Sequence, residues 1–536
     1  MNSTSTNRKI LYLILSIAFI LRFYKLGQIP YSLDWDENSN AYNAYSILKT
    51  GRDEYGTLFP LANQSFEDYK PPLYMYLNVT TVRIFGLTPF AARLPSALFG
   101  FLTVIAFYCL AKKLFGNSNQ YFTLFNIKLE IPLVSTAFFA VSPWHIQFSR
   151  VGFEAGMGLF FAVGSITAFL YGISNKRYLI LSAILLGISA YSYHTERIFV
   201  PLLFIVTFII YRKQVLKTSK RYLLSFTLIT IIIALPLAIL IPPRVILRRF
   251  QVTTGGPRLE DIDKSIKFQY QDHLTRFSKI IHNRRLIVSQ TLFANYLSHF
   301  DFNFLFTKGD DNFRHHIQGM GMFYLFELPL VIYGLFNLVR NRSETSYFIL
   351  FWLLIAPIAA TPAAPNPHGN RALPMVVPLI LISSYSFVLI FNKKLFHKNI
   401  FISAFSLWIA ISVLLYLHDY FVHYPVEKAT FWQYGYAQAV EKSEKIKGQY
   451  ERINIDSSVE QAYAFWLFNT KYDPALYQKS GSRFHFDKYY FSVKNPDPNK
   501  KELYISTIVP GGFEAIDKVY YPDGTEALKI SRPLIK

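Results

Sequence analysis

The residues with the clearest chemical potential are three acids at the start of the first long polar stretch. Asp34, Asp36 and Glu37 follow directly after an apolar segment. Mutual repulsion and partial loss of hydration are expected to raise the pKa of at least one of these carboxyls. A carboxylate tuned in this way can act as a general base. Helix capping is the alternative role, and it suits Asp34 best because a helix is expected to begin near Asn38.

Cations that could meet an anion occur further along the chain. Lys70 precedes two prolines, and a fixed backbone there suits a lysine held toward an anion, although a lysine at a membrane boundary also snorkels. Arg93 could bind a phosphate or anchor to lipid headgroups. The same two roles are open to Arg371, which follows a proline-rich turn at residues 361–368.

Long apolar runs separate these residues. Of 536 residues, 52% are hydrophobic, and several runs approach the ~20 residues that span the hydrocarbon. The pattern predicts a polytopic α-helical membrane protein with about 11 transmembrane helices. The predicted spans lie near residues 10–21, 93–111, 130–148, 155–174, 178–193, 196–211, 222–241, 321–339, 346–361, 371–391 and 399–417. The net charge of +21 comes mainly from basic connections between spans, so no nucleic-acid partner is needed.

Orientation depends on residues 72–85, which are apolar but short for a span. If they form an interfacial helix, basic connections such as Lys112-Lys113 and Lys393-Lys394 all fall on the cytoplasmic side. We therefore predict a cytoplasmic N-terminus and a multi-pass protein of the plasma (inner) membrane. Loops 27–92 and 242–320 are then extracytoplasmic.

The chain is predicted to have two domains, a transmembrane domain at 1–420 and a small extracytoplasmic α/β domain at 421–536. In the second, patterns predict helices at 434–447 and 459–468, strands at 452–455 and 502–508, and a hairpin at 519–530. Cys109 is the single cysteine, so an internal disulfide is excluded.

Five motifs follow one another in a characteristic order. They are Asp36-Glu37, Lys70-Pro71-Pro72-Leu73, Arg93-Leu94-Pro95-Ser96, Ser142-Pro143-Trp144-His145 with Arg150 and Glu154, and His368-Gly369-Asn370-Arg371-Ala372-Leu373-Pro374. This order resembles the C-type-fold (GT-C) membrane glycosyltransferases of family 39, the dolichyl-phosphate-mannose protein mannosyltransferases, and is also similar to the bacterial aminoarabinose transferases. The resemblance covers about residues 1–420.

The resemblance implies that a sugar passes from a polyprenyl-phosphate carrier to an acceptor hydroxyl on a protein, lipid or cell-envelope glycan. Transfer would occur on the outer face with inversion of configuration. Asp36 matches the family's catalytic acid, and Glu37 beside it completes the predicted catalytic pair. The candidates to bind the donor phosphate are Lys70, Arg93, His368 and Arg371. A lipid-linked donor also fits a sequence without a glycine-rich nucleotide loop.

Two further groups of polar residues are predicted to contact sugar or acceptor. They are His145, Arg150 and Glu154 in one turn, and Tyr193, His194, Glu196 and Arg197 in another. The interfacial aromatic belt is an alternative explanation for the tyrosine. Dedicated metal-motif spacing is missing, so no metal ligand is assigned and a divalent metal ion stays an open option. His315 and His316 are interpreted as solvated loop residues.

Two other functions fit the general pattern of spans and polar groups. A secondary transporter would also have many spans, but transporters usually place charges within spans and show repeated halves. A non-catalytic protein that binds polyprenyl-phosphate sugars is the second alternative, and in such a protein Asp36 would be dispensable. The expected partners are the lipid-linked sugar donor, the acceptor and the lipid bilayer.

Overall fold

The computed structural model describes residues 3–116, 118, 120–124, 127–241, 259–392 and 398–534, and most of them are helical. The helices of the first half are Ser3–Phe23, Trp35–Thr50, Leu73–Phe85, Pro89–Phe115, Ile131–Val141, Pro143–Arg150, Glu154–Gly172, Arg177–Ser192, Glu196–Ile210, Arg212–Leu216 and Lys220–Leu240. Those of the second half are Leu259–Gln271, Arg276–Ile281, Arg284–Ser298, Glu327–Asn341, Glu344–Ile355, Val376–Asn392, Lys398–His418, Tyr424–Glu427, Tyr436–Ile446, Ala462–Thr470 and Pro474–Ser480. Short helical turns lie at Asn303–Thr307, Leu373–Met375, Asp419–His423, Ala429–Trp432 and Lys447–Gln449.

Five helices among the described residues are long and apolar enough to cross a membrane. They are Pro89–Phe115, Glu154–Gly172, Lys220–Leu240, Leu373–Asn392 and Ile400–Glu427. The apolar windows of Glu154–Gly172 and Leu373–Asn392 are 89% buried, whereas that of Lys220–Leu240 is only 6% buried. Two helices therefore form the centre of the bundle and others expose apolar side chains to lipid, as expected of a multi-pass membrane protein.

Every predicted span overlaps a helix, and the predicted count of about 11 remains a prediction. One predicted span differs in detail, because 130–148 consists of two helices that meet at Ser142. Pro143 begins the second helix, and its missing N–H and fixed φ favour such a start. Residues 73–85 are helical as predicted, and their interfacial position stays a prediction.

Close packing at the break depends on a glycine. A Cβ added to Gly100, within Pro89–Phe115, would lie 2.3 Å from Ser149 Oγ in Pro143–Arg150. Only the absence of a side chain allows the two helices to approach so closely. This contact holds the short helix beside the long one.

The C-terminal part contains a six-stranded mixed sheet. Its strands, in spatial order, are His485–Phe486, Tyr489–Val493, Arg452–Asp456, Glu502–Ser506, Glu526–Pro533 and Phe513–Tyr520. Arg452–Asp456 runs parallel to both of its neighbours, and the other pairs are antiparallel. The predicted strands at 452–455 and 502–508 and the hairpin at 519–530 are confirmed, and helices at Tyr436–Ile446 and Ala462–Thr470 match the two predicted there. Two small hairpins lie elsewhere, Asn63–Ser65 with Asp68–Lys70 and Tyr121–Leu124 with Ile127–Glu130.

This C-terminal unit packs on the helix Trp35–Thr50. Gln478 Nε2 donates to Ser46 Oγ at 2.9 Å and lies 3.0 Å from Thr50 Oγ1, and Tyr42 OH donates to the Tyr472 carbonyl at 3.0 Å. Apolar residues of both parts share one core. The element that carries Asp36 is therefore held between the membrane bundle and the C-terminal unit.

Candidate active site

A polar cavity of about 200 Å³ lies where several connections between helices meet. Its lining residues are Asp34, Asp36, Asp68, Lys70, Pro71, Phe153, Glu154, Tyr193, His194, Asn312, Arg314, His315, His368, Asn370 and Arg371. Seven of the predicted site residues are among them: Asp36, Lys70, Glu154, Tyr193, His194, His368 and Arg371. The fold thus brings together residues that are up to 335 positions apart in the chain, from Asp36 to Arg371.

The three acids of the first loop have different environments. Asp34 caps the helix Trp35–Thr50, accepting from the Glu37 N–H at 2.8 Å while its own N–H donates to Glu37 Oε2 at 3.1 Å. The predicted capping role is confirmed, although the helix begins at Trp35 rather than near Asn38. The Asp36 side chain is 37% exposed, whereas those of Asp34 and Glu37 are 0% exposed. Asp36 is the acid of this run that a substrate can reach.

Asp36 forms an ion pair across the cavity. Lys70 Nζ donates to Asp36 Oδ1 at 2.6 Å. Lys70 is the last residue of the strand Asp68–Lys70, and Pro71 follows it, which fixes where the side chain begins. Burial opposes the charge on Lys70, but Asp36 and the other nearby carboxylates outweigh it, so the pKa of Lys70 is raised.

Asp34 lies behind this pair with its charge poorly compensated. Asp34 Oδ2 is buried and has no hydrogen-bond partner in the described part of the chain, and Arg314 Nε is 3.8 Å away. Burial and then the neighbouring Asp36 raise the pKa of Asp34 to about 8. Asp34 is therefore expected to hold a proton at neutral pH.

The turn before Val376–Asn392 presents two polar groups to the cavity. Arg371 Nη1 and His368 Nδ1 are buried atoms without a hydrogen-bond partner among the described residues. Burial, followed by the charges of His315 and Arg371, lowers the pKa of His368 well below its usual range, so its imidazole is neutral. A buried donor without a partner costs free energy, and an anionic ligand would supply the hydrogen-bond acceptor that Arg371 Nη1 lacks. Tyr193 lies beside Arg371 in the lining of the cavity.

Two predicted residues, Glu37 and Arg93, form a buried ion pair outside the cavity lining. Arg93 Nε donates to Glu37 Oε1 at 2.9 Å, and the Gly152 N–H donates to the same oxygen at 2.6 Å. The other guanidinium nitrogens of Arg93 donate to the carbonyls of Leu26, Pro30 and Ser32 and to Glu37 Oε2. The predicted catalytic role of Glu37 and the predicted phosphate contact of Arg93 are therefore not supported, because both groups are fully engaged in tying the first loop to Pro89–Phe115.

His145 and Arg150 also lie away from the cavity, inside the bundle. His145 Nδ1 is 2.7 Å from Arg22 Nη2. Arg150 donates to the carbonyls of Leu21 and Tyr24 at 2.9 and 2.8 Å. Their predicted contacts with sugar or acceptor are not supported, since both are enclosed by neighbouring helices.

The other predicted sugar contacts divide into two groups. Glu154 lines the cavity and accepts from Asn40 Nδ2 at 3.0 Å. His194 lines it as well, with Nε2 2.9 Å from the Tyr69 carbonyl. Burial, helped by Arg197, lowers the pKa of His194 to about 3, so this ring is neutral. Glu196 and Arg197 do not line the cavity, and Arg197 instead supports His194 through a contact of 3.2 Å to Nδ1.

Sequence reasoning missed the segment that closes the cavity. Asn312, Arg314 and His315 line it, and His315 and His316 are only 3% and 5% exposed. The interpretation of both histidines as solvated loop residues is wrong, because Asp310 and backbone carbonyls bind them inside the protein. Two acids and two histidines within residues 310–316 were the available signal, but their position beside His368 depends on the tertiary fold.

Three of these side chains could hold a metal ion. Ligand atoms of Asp310, His315 and His368 all lie within 4.8 Å of one another. Asp310 Oδ2 is 2.5 Å from His315 Nδ1 and accepts from the Gly369 N–H at 2.6 Å. Burial would raise the pKa of Asp310, but His315 and these hydrogen bonds hold it at about 2. One carboxylate and two imidazoles suit a divalent transition metal.

Comparison with known proteins identifies related sequences and folds. Residues 69–239 match the family model of dolichyl-phosphate-mannose-protein mannosyltransferase. The fold is similar to that of ArnT from Cupriavidus metallidurans in the apo state (TM-score 0.54, 11% identity) and bound to undecaprenyl phosphate (0.52, 12%), each over 97% of both chains. It is also similar to the oligosaccharyltransferase AglB from Archaeoglobus fulgidus in complex with an inhibitory peptide and a dolichol-phosphate (0.51, 12%), over 86% of this chain and 63% of that one.

Sequence similarity to curated proteins is more local. An uncharacterized protein of Aquifex aeolicus is 32% identical over 109 residues, which is 20% of each chain. A second one from the same organism is 33% identical over 107 residues, or 24% of its length. The chain thus spans a fifth to a quarter of these curated relatives.

Proposed function

Because this chain has the fold of the C-type (GT-C) membrane glycosyltransferases, we propose that it moves a sugar from a polyprenyl-phosphate carrier to an acceptor hydroxyl. Transfer takes place on the extracytoplasmic face of the plasma (inner) membrane and inverts the configuration of the sugar. The observation that carries the proposal is one cavity lined by the exposed carboxylate of Asp36, by its partner Lys70 and by Arg371, whose Nη1 has no partner within the described ranges. The fold similarity to ArnT bound to undecaprenyl phosphate supports it.

Asp36 acts as the general base. The acceptor oxygen attacks the anomeric carbon from the face opposite the phosphate, and Asp36 takes the hydroxyl proton as the new C–O bond forms. The bond from the anomeric carbon to the phosphate oxygen breaks, and polyprenyl phosphate leaves with the electron pair. Proton removal by a positioned carboxylate contributes ~10²- to 10⁴-fold to the rate.

Lys70 and Arg371 stabilise the phosphate as it leaves. Lys70 Nζ donates to Asp36 at 2.6 Å, and because an ammonium has three N–H donors it can also contact a phosphate in the cavity that it lines. Arg371 offers a guanidinium nitrogen that has no partner among the described residues. Charge-assisted hydrogen bonds of this kind strengthen as negative charge develops on the leaving oxygen.

Asp310, His315 and His368 would hold a divalent cation at the edge of the same cavity. When bound, such an ion supplies positive charge to a phosphate oxygen. Lys70 and Arg371 carry positive charge whether or not this ion is bound.

The test is transfer from radiolabelled polyprenyl-phosphate mannose, glucose, arabinose or aminoarabinose into cell-envelope fractions, with purified protein in liposomes. We expect Asp36→Asn to lower transfer ~10²- to 10⁴-fold and to leave donor binding within a few-fold of wild type. Asp263→Asn removes an exposed carboxylate outside the cavity and should transfer at the wild-type rate.

Three results would contradict the proposal. Equal transfer by Asp36→Asn would exclude this residue as the base. Donor binding without transfer by the wild type would indicate a non-catalytic binding protein. Movement of labelled solute across the membrane, without transfer from any carrier, would favour a secondary transporter.

A further inference from the structure

A second, larger cavity of about 440 Å³ borders the candidate active site. Its lining residues are Trp35, Asp310, Asp311, Asn312, Arg314, His315, Pro365, Pro367, His368, Thr430, Phe431, Gln433 and Glu460. Asn312, Arg314, His315 and His368 line both cavities. The two spaces are therefore neighbours that share one wall.

The charges of the two cavities differ. The smaller cavity has three cations, Lys70, Arg314 and Arg371, together with the four acids Asp34, Asp36, Asp68 and Glu154. In the larger cavity Arg314 is the one Lys or Arg in the lining, and it faces the acids Asp310, Asp311 and Glu460. Arg371, whose Nη1 has no hydrogen-bond partner among the described residues, lines the smaller cavity and not the larger one, so the phosphate is assigned to the smaller cavity and the larger one is left for a ligand without phosphate.

Gln433 is a buried group that lacks a partner in this larger cavity. Gln433 is only 7% exposed, and its Oε1 has no hydrogen-bond partner among the described residues. Gln433 follows the short helix Ala429–Trp432 and has φ +47°, a left-handed conformation that fixes where the side chain starts. A buried carbonyl oxygen left unpaired is unfavourable, and a hydroxyl donor on a ligand would satisfy it.

The remaining walls combine flat apolar surfaces with polar groups. Trp35, Phe431, Pro365 and Pro367 provide the apolar part. The Arg314 guanidinium lies 4.2 Å from the Trp35 ring centroid and donates to the Phe431 carbonyl at 2.7 Å, so it holds these two walls together. Apolar faces beside hydrogen-bonding groups match a saccharide, which has C–H faces and a rim of hydroxyls.

We propose that the larger cavity binds the saccharide that accepts the transferred sugar, and that Gln433 accepts a hydrogen bond from one of its hydroxyls. This inference rests on the proposed function and names the chemical class of the acceptor in that reaction, a saccharide. The C-terminal part of the chain supplies Thr430, Phe431, Gln433 and Glu460, so it selects the acceptor. The preceding part of the chain supplies the base and the phosphate contacts, from the loop at 27–92 and the turn before Val376–Asn392.

The kinetic test compares Gln433→Met with Gln433→Glu. The first keeps the length of the side chain and removes the hydrogen-bond acceptor, and the second retains an acceptor at the same place. We expect Gln433→Met to raise the half-saturating concentration of the cell-envelope acceptor fraction about tenfold, with the donor half-saturation and the slow transfer to water unchanged. Gln433→Glu should recover most of the loss. Gln449→Met, an exposed glutamine outside the cavity, is the matched control.

A binding test does not require transfer. A cysteine placed at the exposed, cavity-lining Thr430 in a Cys109→Ser background should be protected from maleimide by delipidated cell-envelope oligosaccharides. A cysteine placed at Ser457 should not be protected. Acceptor fractions prepared as free glycan, glycolipid or protein distinguish the sources of the saccharide.

The outcomes separate the two proposals. Two results would overturn the saccharide acceptor site. One is a Gln433→Met protein that transfers sugar to the acceptor fraction as the wild type does, and the other is label attached directly to an unglycosylated protein. Protection at Thr430 in a protein that transfers from no donor would keep the saccharide site and overturn the proposed reaction. Loss of transfer to water in Gln433→Met would show general damage, and the protection test would then decide.

Discussion

At the scale of single residues, burial and pairing give neighbouring acids different chemistry. Asp34, Asp36 and Glu37 are equivalent by type, yet only the Asp36 side chain is appreciably exposed. Glu37 neutralises Arg93 inside the protein, and Asp34 caps a helix with one oxygen unpaired. Of the three carboxylates, Asp36 is therefore the one whose side chain is accessible from the cavity.

The raised pKa of Asp34 predicts a pH dependence of stability. Its pKa rises from 3.8 to about 8 on folding, so the folded state binds the proton more tightly than the unfolded state. The stabilisation is present at low pH and is lost as pH rises from about 4 through about 8. We expect Asp34→Asn, which is neutral at every pH, to remove this part of the slope of melting temperature against pH. Identical slopes for variant and wild type would contradict the shift.

The buried pair of Arg93 with Glu37 predicts a loss of stability rather than of donor binding. Arg93→Met leaves a buried carboxylate without its partner, which costs about 3–5 kcal/mol. We expect a clearly lower melting temperature for Arg93→Met, whereas Arg371→Met keeps the wild-type melting temperature and weakens donor binding tenfold or more. Thermal melts and equilibrium donor binding in detergent make the comparison. An Arg93→Met protein that melts normally and loses the donor would restore a phosphate-binding role for Arg93.

At the scale of elements, the site depends on where helices end. Asp36 lies in the first turn of Trp35–Thr50, Glu154 begins Glu154–Gly172, and Arg371 precedes Leu373–Met375. Segments next to helix ends can present side chains to a common space because their backbone groups are not all committed to the helix. The segment at 310–315 and the turn at 365–371 together close this space.

The segment at 310–315 contacts the turn at 365–371, and this contact predicts a metal site. We expect the purified wild type, equilibrated with zinc and then dialysed, to retain about one equivalent, and His315→Ala and His368→Ala to lose it. Each variant removes one of the three ligands. His273→Ala, an exposed histidine elsewhere, is the control, and elemental analysis is the measurement. Equal metal content in all four proteins would exclude the site.

At the scale of the whole molecule, the membrane bundle and the C-terminal unit share the helix Trp35–Thr50. The helix Pro474–Ser480 of the C-terminal unit contacts it through Gln478, and the two parts have a common apolar core. The same helix begins with Trp35 and Asp36, which face the larger and the smaller cavity respectively. The proposed base therefore lies at the junction of the two parts.

This arrangement, combined with the positive-inside rule, predicts which surfaces face outward. In a Cys109→Ser background, a cysteine at the exposed Ser457 should react with a membrane-impermeant maleimide in intact spheroplasts. A cysteine at the exposed Asn175, beside the basic Lys176-Arg177, should react only after the membrane is opened. The reverse pattern would invert the proposed topology and place the cavity in the cytoplasm.

The sequence alone determined features that depend on neighbouring residues. Apolar run length located the helices, and capping by Asp34 was predicted. Local patterns also predicted two strands and the hairpin of the C-terminal sheet, but not the strands His485–Phe486 and Tyr489–Val493. The order of the Asp36, Lys70 and Arg371 motifs indicated the GT-C fold, which the structural similarity confirms. These features can be predicted from sequence because caps, spans and turns depend on residues that are close together along the chain.

Only the tertiary structure decided which polar groups are available to a substrate. Arg93 and Arg371 look alike in sequence, but a carboxylate 56 positions from Arg93 neutralises it, while Arg371 has a guanidinium nitrogen without a partner among the described residues. His315 and His368 are adjacent in space and distant in the chain. Burial and charge pairing depend on such distant partners, and the free energy of a buried charge is set by the groups that surround it in the folded protein.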